Sequence, residues 1–294
     1  MEEELKVKHH MGMRKKNRIF NTIFYIILIV MSIIWLIPFV FILFESFRCE
    51  STWQVGYVIP HKFGFDNYIA LFNPEKYDFG RWYLNTLIIS TAAAVLQSIV
   101  VLSVSYTLSR IRFKGRKLLM NICLVLGMFP GFLTLIVLYN VLSMMGLTGV
   151  HAVPGLIIIG VAGSGMGYYI SKGYFDTIPR SLDEAAKIDG ANRFQVFYKI
   201  IMPLAKPIVI YTVLTAFMGP WGDFVFARYI ARSSSAGMNV AVGLWNLLST
   251  PGNISNNYTV FCAGGVLVAL PVTILFMFLQ KYYVEGVTGG AVKG

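Results

Sequence analysis

The chain has 294 residues, 56% of them hydrophobic and only 13% charged. A soluble domain carries about 25% charged residues, so an ordinary globular core is excluded and a membrane protein is expected. The net charge of +11 would suit nucleic acid, but no basic patch is interleaved with stacking aromatics, and the distribution of the charges gives another reason for it. Cys49, Cys123 and Cys262 are scattered and form no CxxC pair, which argues against a disulfide framework or a zinc site.

Charge-free apolar runs of about 20 residues can cross a bilayer as helices. After a basic tail, residues 1–18, the first run is 19–44. It is too long for a signal-peptide core and no small-residue cleavage pattern follows, so an uncleaved span is expected. The segment 45–83 reads as an external loop, long enough for a small ordered cap. The second span runs from about Leu84 to Ser109. The charge-free stretch from Leu118 to Ser171 is too long for one crossing and breaks where Gly146, Gly149 and Pro154 cluster, so it predicts spans near 118–142 and 154–171. Within it, Gly163 to Gly167 spaces small residues for close helix packing. The fifth span starts at Pro207, ends near Ile230 and is interrupted by Gly219-Pro220 and Asp223. The sixth is Val260 to Gln280. The reading is therefore an all-α polytopic membrane protein with six transmembrane helices and both termini on one side.

Nineteen of the 25 Lys and Arg fall in the two tails, in the loop after span two, and in the loop after span four. That is the positive-inside pattern, so these segments are expected in the cytoplasm. It accounts for the basic charge without a nucleic-acid partner.

The loop at residues 172–206 contains a polar, charge-mixed stretch. Ser181 to Glu184 has the spacing of a capping box, with the Ser181 hydroxyl accepting from the Glu184 amide. Asp183 and Glu184 suit the positive end of the helix dipole. Gly190 follows Asp189 and can take the left-handed conformation that ends a helix. A two-turn helix, Leu182 to Asp189, is expected. Its small residues, Ala185 and Ala186, would let another protein approach closely. Asn192 can cap a second helix with an apolar stripe of Phe194, Phe197 and Ile201. Pro203 and Pro207 end that helix and re-aim the chain. The plain alternative is a loop that merely connects two spans along the membrane surface.

The residue order goes further. Glu184-Ala185-Ala186, Asp189-Gly190-Ala191, Phe197, Ile200, Pro203 and Pro207 resemble the EAA loop of ABC importer permeases. Trp221-Gly222-Asp223-Phe224 is similar to a Trp-Asn-Asp-Phe element of sugar permeases, with Gly222 departing from it. Phe65 to Tyr68 looks like the segment before span two. The ending 286–294 looks like the tail of MalG-type subunits of maltose and maltodextrin importers. The resemblance implies a type I ABC importer permease fold, with a transmembrane core at 81–280 and a cytoplasmic tail at 281–294. It implies a carbohydrate permease, of maltose or malto-oligosaccharide type, that is not itself an enzyme and binds no cofactor. The implied partners are a second, MalF-like permease, a dimer of ATP-binding subunits that uses ATP and Mg²⁺, an external solute-binding protein and membrane lipid. Ser181, Glu184, Ala185, Ala186, Asp189, Gly190, Ala191 and Pro203 would couple to the ATPase. Gly289, Gly290 and Lys293 in the tail would also reach it. Trp221 and Asp223 are candidates for a gate or substrate path. Asp223 lies about 24 Å along a helix from Pro207, and a structural cap is the plainer reading of it.

The residues limit the alternatives. No GxxxxGK[ST] phosphate loop occurs, as suits a subunit that is not the ATPase. The four histidines have no metal-site spacing. A polytopic membrane enzyme would need clustered carboxylates, His or Ser–Lys pairs, which the spans lack. A passive channel would not need a coupling helix. Within the importer reading, another sugar or glycerol phosphate stays open.

Overall fold

A computed structural model describes residues 13–50, 56–128, 131–249 and 253–289. Along the chain the helices are α1 (Met13–Ser46), α2 (Asp66–Leu71), α3 (Phe79–Arg110), α4 (Arg116–Met128), α5 (Gly131–Met144), α6 (Ala152–Ala162), α7 (Gly165–Thr177), α8 (Ser181–Ile188), α9 (Arg193–Gln195), α10 (Met202–Leu204), α11 (Lys206–Gly222), α12 (Val225–Ala231), α13 (Val240–Leu248) and α14 (Asn253–Gly289). Between α9 and α10, Val196–Ile201 forms a π-helical turn. The protein is all-α.

Three helices, Asn17–Ser46, Phe79–Arg110 and Ile254–Tyr282, are long and apolar enough to cross a bilayer. Three bent pairs raise this to as many as six if each pair counts as one span. The expected third span is split: Arg116–Met128 and Leu133–Met144 lie at 103° to one another. The sequence between them carries Pro130 and Gly131, residue types that interrupt helices. The fourth span bends by 42° at Gly163-Ser164, the joint between α6 and α7. The break predicted between the third and fourth spans is a turn with Gly146 and Gly149 at φ +71° and +64°, where a Cβ would be strained. The small residues pack closely, as expected: a Cβ on Gly167 would sit 3.5 Å from the Val101 methyls, and the Ser105 hydroxyl donates to the Tyr168 carbonyl at 3.1 Å.

Helix α3 is the hub and packs against α6, α7, α11 and α13. Helix α1 packs chiefly on α14 and exposes Phe24, Trp35 and Phe39, an apolar surface suited to lipid. The described part of the segment after α1 is held by a network of side-chain hydrogen bonds. Arg48, 1% exposed, donates twice to Glu45, at 2.9 and 2.8 Å, and to the Tyr57 and Val58 carbonyls. Asn67 donates to the Ser46 and Arg48 carbonyls and accepts from Thr259 of α14. These bonds tie the end of α1 to α14.

Two buried clusters form the core. The larger gathers residues of α3, α6, α11, α12, α13 and α14 around Trp82, Leu156, Trp221 and Leu244. The smaller gathers Leu102, Tyr106, Phe175, Ala186, Val196 and Ile201 where α3 and α7 meet α8.

Candidate functional site

Two places combine unusual geometry with polar chemistry. The first is the hairpin of α8 and α9. Helix α8 begins one residue earlier than the sequence suggested. Arg180 is already helical at φ −69°, ψ −22°, and its carbonyl accepts from the Glu184 N–H at 3.1 Å. Ser181 is therefore inside the first turn, and no side chain caps this helix. The expected Ser181–Glu184 capping box is corrected on that ground: a residue with helical φ and ψ cannot aim its hydroxyl back at the third amide. The capping box lies at the next helix, where Asn192 Oδ1 accepts from the Gln195 N–H and Gln195 Oε1 accepts from the Asn192 N–H.

The stop signal is as expected. Gly190 has φ +87°. The Gly190 N–H donates to Lys187 O and the Ala191 N–H to Ala186 O, the paired bonds of a Schellman ending. Asp189 sits at the helix end and is exposed, as are Glu184 and Ala185. Ala186 is not at the outer surface: it is buried against the Tyr106–Phe175 cluster. Its small size serves close inward packing, and only Ala185 remains available to an outside partner. The outward face also carries Ile188, 87% exposed, which is unusual for an isoleucine.

The second helix also departs from the simple stripe. Phe194 is 72% exposed and stacks on exposed Tyr198, whereas Val196 and Ile201, five apart, are both buried. The π-turn explains the spacing, since its wider repeat brings residues five apart to one face. Met202 donates to Phe197 O, and Pro203, which lacks an N–H, follows at once. The chain then bends by 84° across Ala205 into α11, with Pro207 in its first turn. This is the re-aiming that the two prolines predicted.

Sequence reasoning missed what fastens α8. Arg110, the last residue of α3, pairs with Asp183 at 3.4 Å, both side chains being buried. Arg110 also donates to the Ile178 carbonyl, and Arg180 donates to the Ser109 carbonyl. Ser109 donates to Asp176, which Lys172 also contacts. The ion pair is loose: among the described residues Asp183 Oδ1 and Arg110 Nε have no hydrogen-bond partner. The available signal was the spacing of Asp183 and Ala186, three apart and so on one face of α8.

The second place is a cavity of about 290 Å³ between α3, α6, α11 and α12. Its polar lining is Gln97, Thr215, Asp223 and Asn239; Leu156 and Phe226 are among its apolar walls. Asp223 follows α11 directly and accepts from the Phe226 N–H at 3.1 Å, which starts α12. It is thus a local cap and a cavity wall together. Asn239 is fully engaged, donating to the Pro220 and Asp223 carbonyls and accepting from the Val242 N–H. Trp221 is separate from its neighbour in sequence. It is buried against Tyr83 and Phe217, and it does not line this cavity. Gly289 is the last helical residue of α14, and Gly290 and Lys293 lie outside the described residues.

A family model described as "Binding-protein-dependent transport system inner membrane component" matches residues 99–289. Streptococcus pneumoniae MalD, a maltodextrin transport system permease protein, is 36% identical over 283 residues, 96% of this chain and 99% of that one. GanQ of Bacillus subtilis, a galactooligosaccharides transport system permease protein, is 37% identical over 92% of this chain and 94% of its own. A crystal structure of a bacterial ABC transporter involved in import of the acidic polysaccharide alginate aligns with a TM-score of 0.75 over 94% of this chain and all of that one, at 23% identity. The fold is that of an ABC importer permease. The chain belongs to the binding-protein-dependent transport system inner membrane component family. It is a multi-pass, non-catalytic permease subunit, and ATP hydrolysis falls to a separate ATPase subunit.

Proposed function

We propose that this chain is one half of the membrane channel of a sugar importer, passing a maltodextrin-type oligosaccharide into the cell. Relatives named for maltodextrin and galactooligosaccharide transport match nearly the whole chain, which supports the substrate class. The observation that carries the coupling role is the α8 hairpin. It is a short helix with a Schellman stop, fastened to α3 by Arg110 and Asp183, with Glu184, Ala185, Ile188 and Asp189 facing out. The partners in this reading are a second, MalF-like permease, a pair of ATP-binding subunits and an external solute-binding protein. The chain binds no cofactor, and the ATPase pair uses ATP and Mg²⁺. In this reading both termini and the 172–206 loop are cytoplasmic, which the lysine and arginine distribution supports, and the transmembrane core is 81–280.

Closure of the ATPase pair would move α8 as a rigid body. Through its fastening to α3 the motion would reach the helices around the cavity and switch its access from one side to the other. Ser181, Pro203 and Ala191 shape the hairpin, Ala186 seats it, and Gly289, Gly290 and Lys293 extend the contact from the tail. Gly190→Val tests this reading. A Cβ there meets nothing within 4 Å, so the substitution acts only through the positive φ, which disfavours a β-branched residue. The variant should insert normally and lose ATPase from a pull-down on this subunit. Recovery of the ATPase at the wild-type ratio would sink the coupling role.

A further inference from the structure

Gln97 lies within α3, about 27 Å along the helix from Phe79 and about 20 Å from Arg110, and so near the middle of a bilayer whose apolar core is about 30 Å thick. Its side chain is half-buried and lines the cavity. No hydrogen bond from its carboxamide occurs among the described residues. An amide left unpaired in hydrocarbon is strongly disfavoured, so its place is explained by something polar in the cavity it faces. Thr215 on α11 lines the same space; its hydroxyl donates to the Tyr211 and Thr212 carbonyls and keeps its lone pairs for a donor in the cavity. Asp223, about 12 Å further along the chain direction of α11, lines it too.

We propose that this cavity is a sugar subsite of this subunit, in which Gln97 hydrogen-bonds the hydroxyls of one neutral sugar ring as the oligosaccharide passes. This rests on the sugar-importer reading and deepens it. The chemistry selects the ligand class. A carboxamide, a hydroxyl and a carboxylate together accept from and donate to a polyol, and Phe226 adds an apolar wall for its C–H groups. Among the described residues no Lys, Arg or His lines the cavity, and the one charged group that does is an acid. Phosphorylated or acidic sugars are therefore disfavoured, because an anion would be desolvated beside Asp223 with no cation to offset it. At about 290 Å³ the space is at the small end for ligand sites, so it holds a single ring, with the rest of the chain extending beyond it.

The test uses the whole transporter, purified through a tag on this subunit with its own partners and reconstituted with its binding protein and ATP. Uptake of radiolabelled maltotriose, galactotriose and an alginate trimer is compared for wild type, Gln97→Leu, Gln97→Asn and Thr215→Val. The recovered ratio of partner permease is measured in each. The proposal expects wild type to accumulate a neutral trimer and not the alginate trimer. Gln97→Leu should lower uptake efficiency for that neutral trimer at least tenfold with partner recovery unchanged, Thr215→Val should lower it about threefold, and Gln97→Asn should restore part of the loss. Uptake by Gln97→Leu within twofold of wild type overturns the subsite while leaving the sugar-importer reading standing. Loss of the partner permease from Gln97→Leu also overturns it, by assigning Gln97 to the subunit interface. Accumulation of none of the neutral trimers by wild type removes the sugar-importer reading itself, and the subsite with it.

Discussion

At the Phe79 end of α3, Asn85 donates to the Ala236 and Met238 carbonyls at 2.9 and 2.8 Å. There Thr86 accepts from the Val240 N–H, and the Trp82 indole donates to Ser235. At the Arg110 end the helix is held to α8 by a 3.4 Å ion pair that leaves Asp183 Oδ1 and Arg110 Nε without a hydrogen-bond partner among the described residues. Fully paired buried polar groups rigidify the structure around them. A buried ion pair with spare bonding capacity is costly as it stands, and a rearrangement that satisfies it regains part of that cost. The contrast suits a fixed platform at one end of α3 and a working joint at the other, next to the hairpin proposed to carry the ATPase stroke.

Six substitutions test this contrast, and the stability effect of each can be read from thermal unfolding of the solubilised complex. Asp183→Ala leaves Arg110 buried and unpaired, and about 4 kcal/mol of stability should be lost. Adding Arg110→Met should recover much of it, and a single variant as stable as wild type would show that the joint carries no charge pairing. Gly243→Ala attacks the platform. Its Cβ would run into the Trp82 ring, which the Ser235 bond holds in place, so about 3 kcal/mol should be lost through overpacking. Asn85→Ala strips two carbonyls of their donor and should cost about 2 kcal/mol, with no change in ATPase recovery. An ATPase defect in that variant would make the platform part of the moving assembly. The smallest pair compares caps in the hairpin: Asn192→Ala should cost about 1 kcal/mol, whereas Ser181→Ala should cost less than about 0.5 kcal/mol, because only Asn192 makes a capping bond. Equal losses would restore the capping role that Ser181 does not show.

Much of the hairpin was legible in the sequence because its signals are local. The stop at Gly190 needs only a residue that tolerates positive φ, and the bend before α11 needs only two prolines. The start at Ser181 misled because Ser-x-x-Glu marks a cap only when the serine lies outside the helix, and Arg180 extended the helix past it. Phe194 misled because the π-turn changed the repeat from which the stripe was read. Trp221 and Asp223 stand two residues apart in the element that resembles Trp-Asn-Asp-Phe, and each is a candidate for a gate or substrate path. The end of α11 falls between them, so one enters the core and the other the cavity.

A helical membrane protein, the points where its chain enters and leaves the apolar runs, and a polar hairpin that interrupts them can all be read along the chain. Those properties follow from hydropathy, backbone stereochemistry and charge placement, which act within a few residues. The tertiary structure alone decided that Asp183 meets Arg110, 73 positions earlier in the chain, that Ala186 faces inward, and that Gln97, Thr215 and Asp223 share one cavity. These depend on which helices pack together. No local propensity encodes that, because the lipid-depth segments are nearly alike in hydrophobicity, and shape and a few buried polar bonds select their partners.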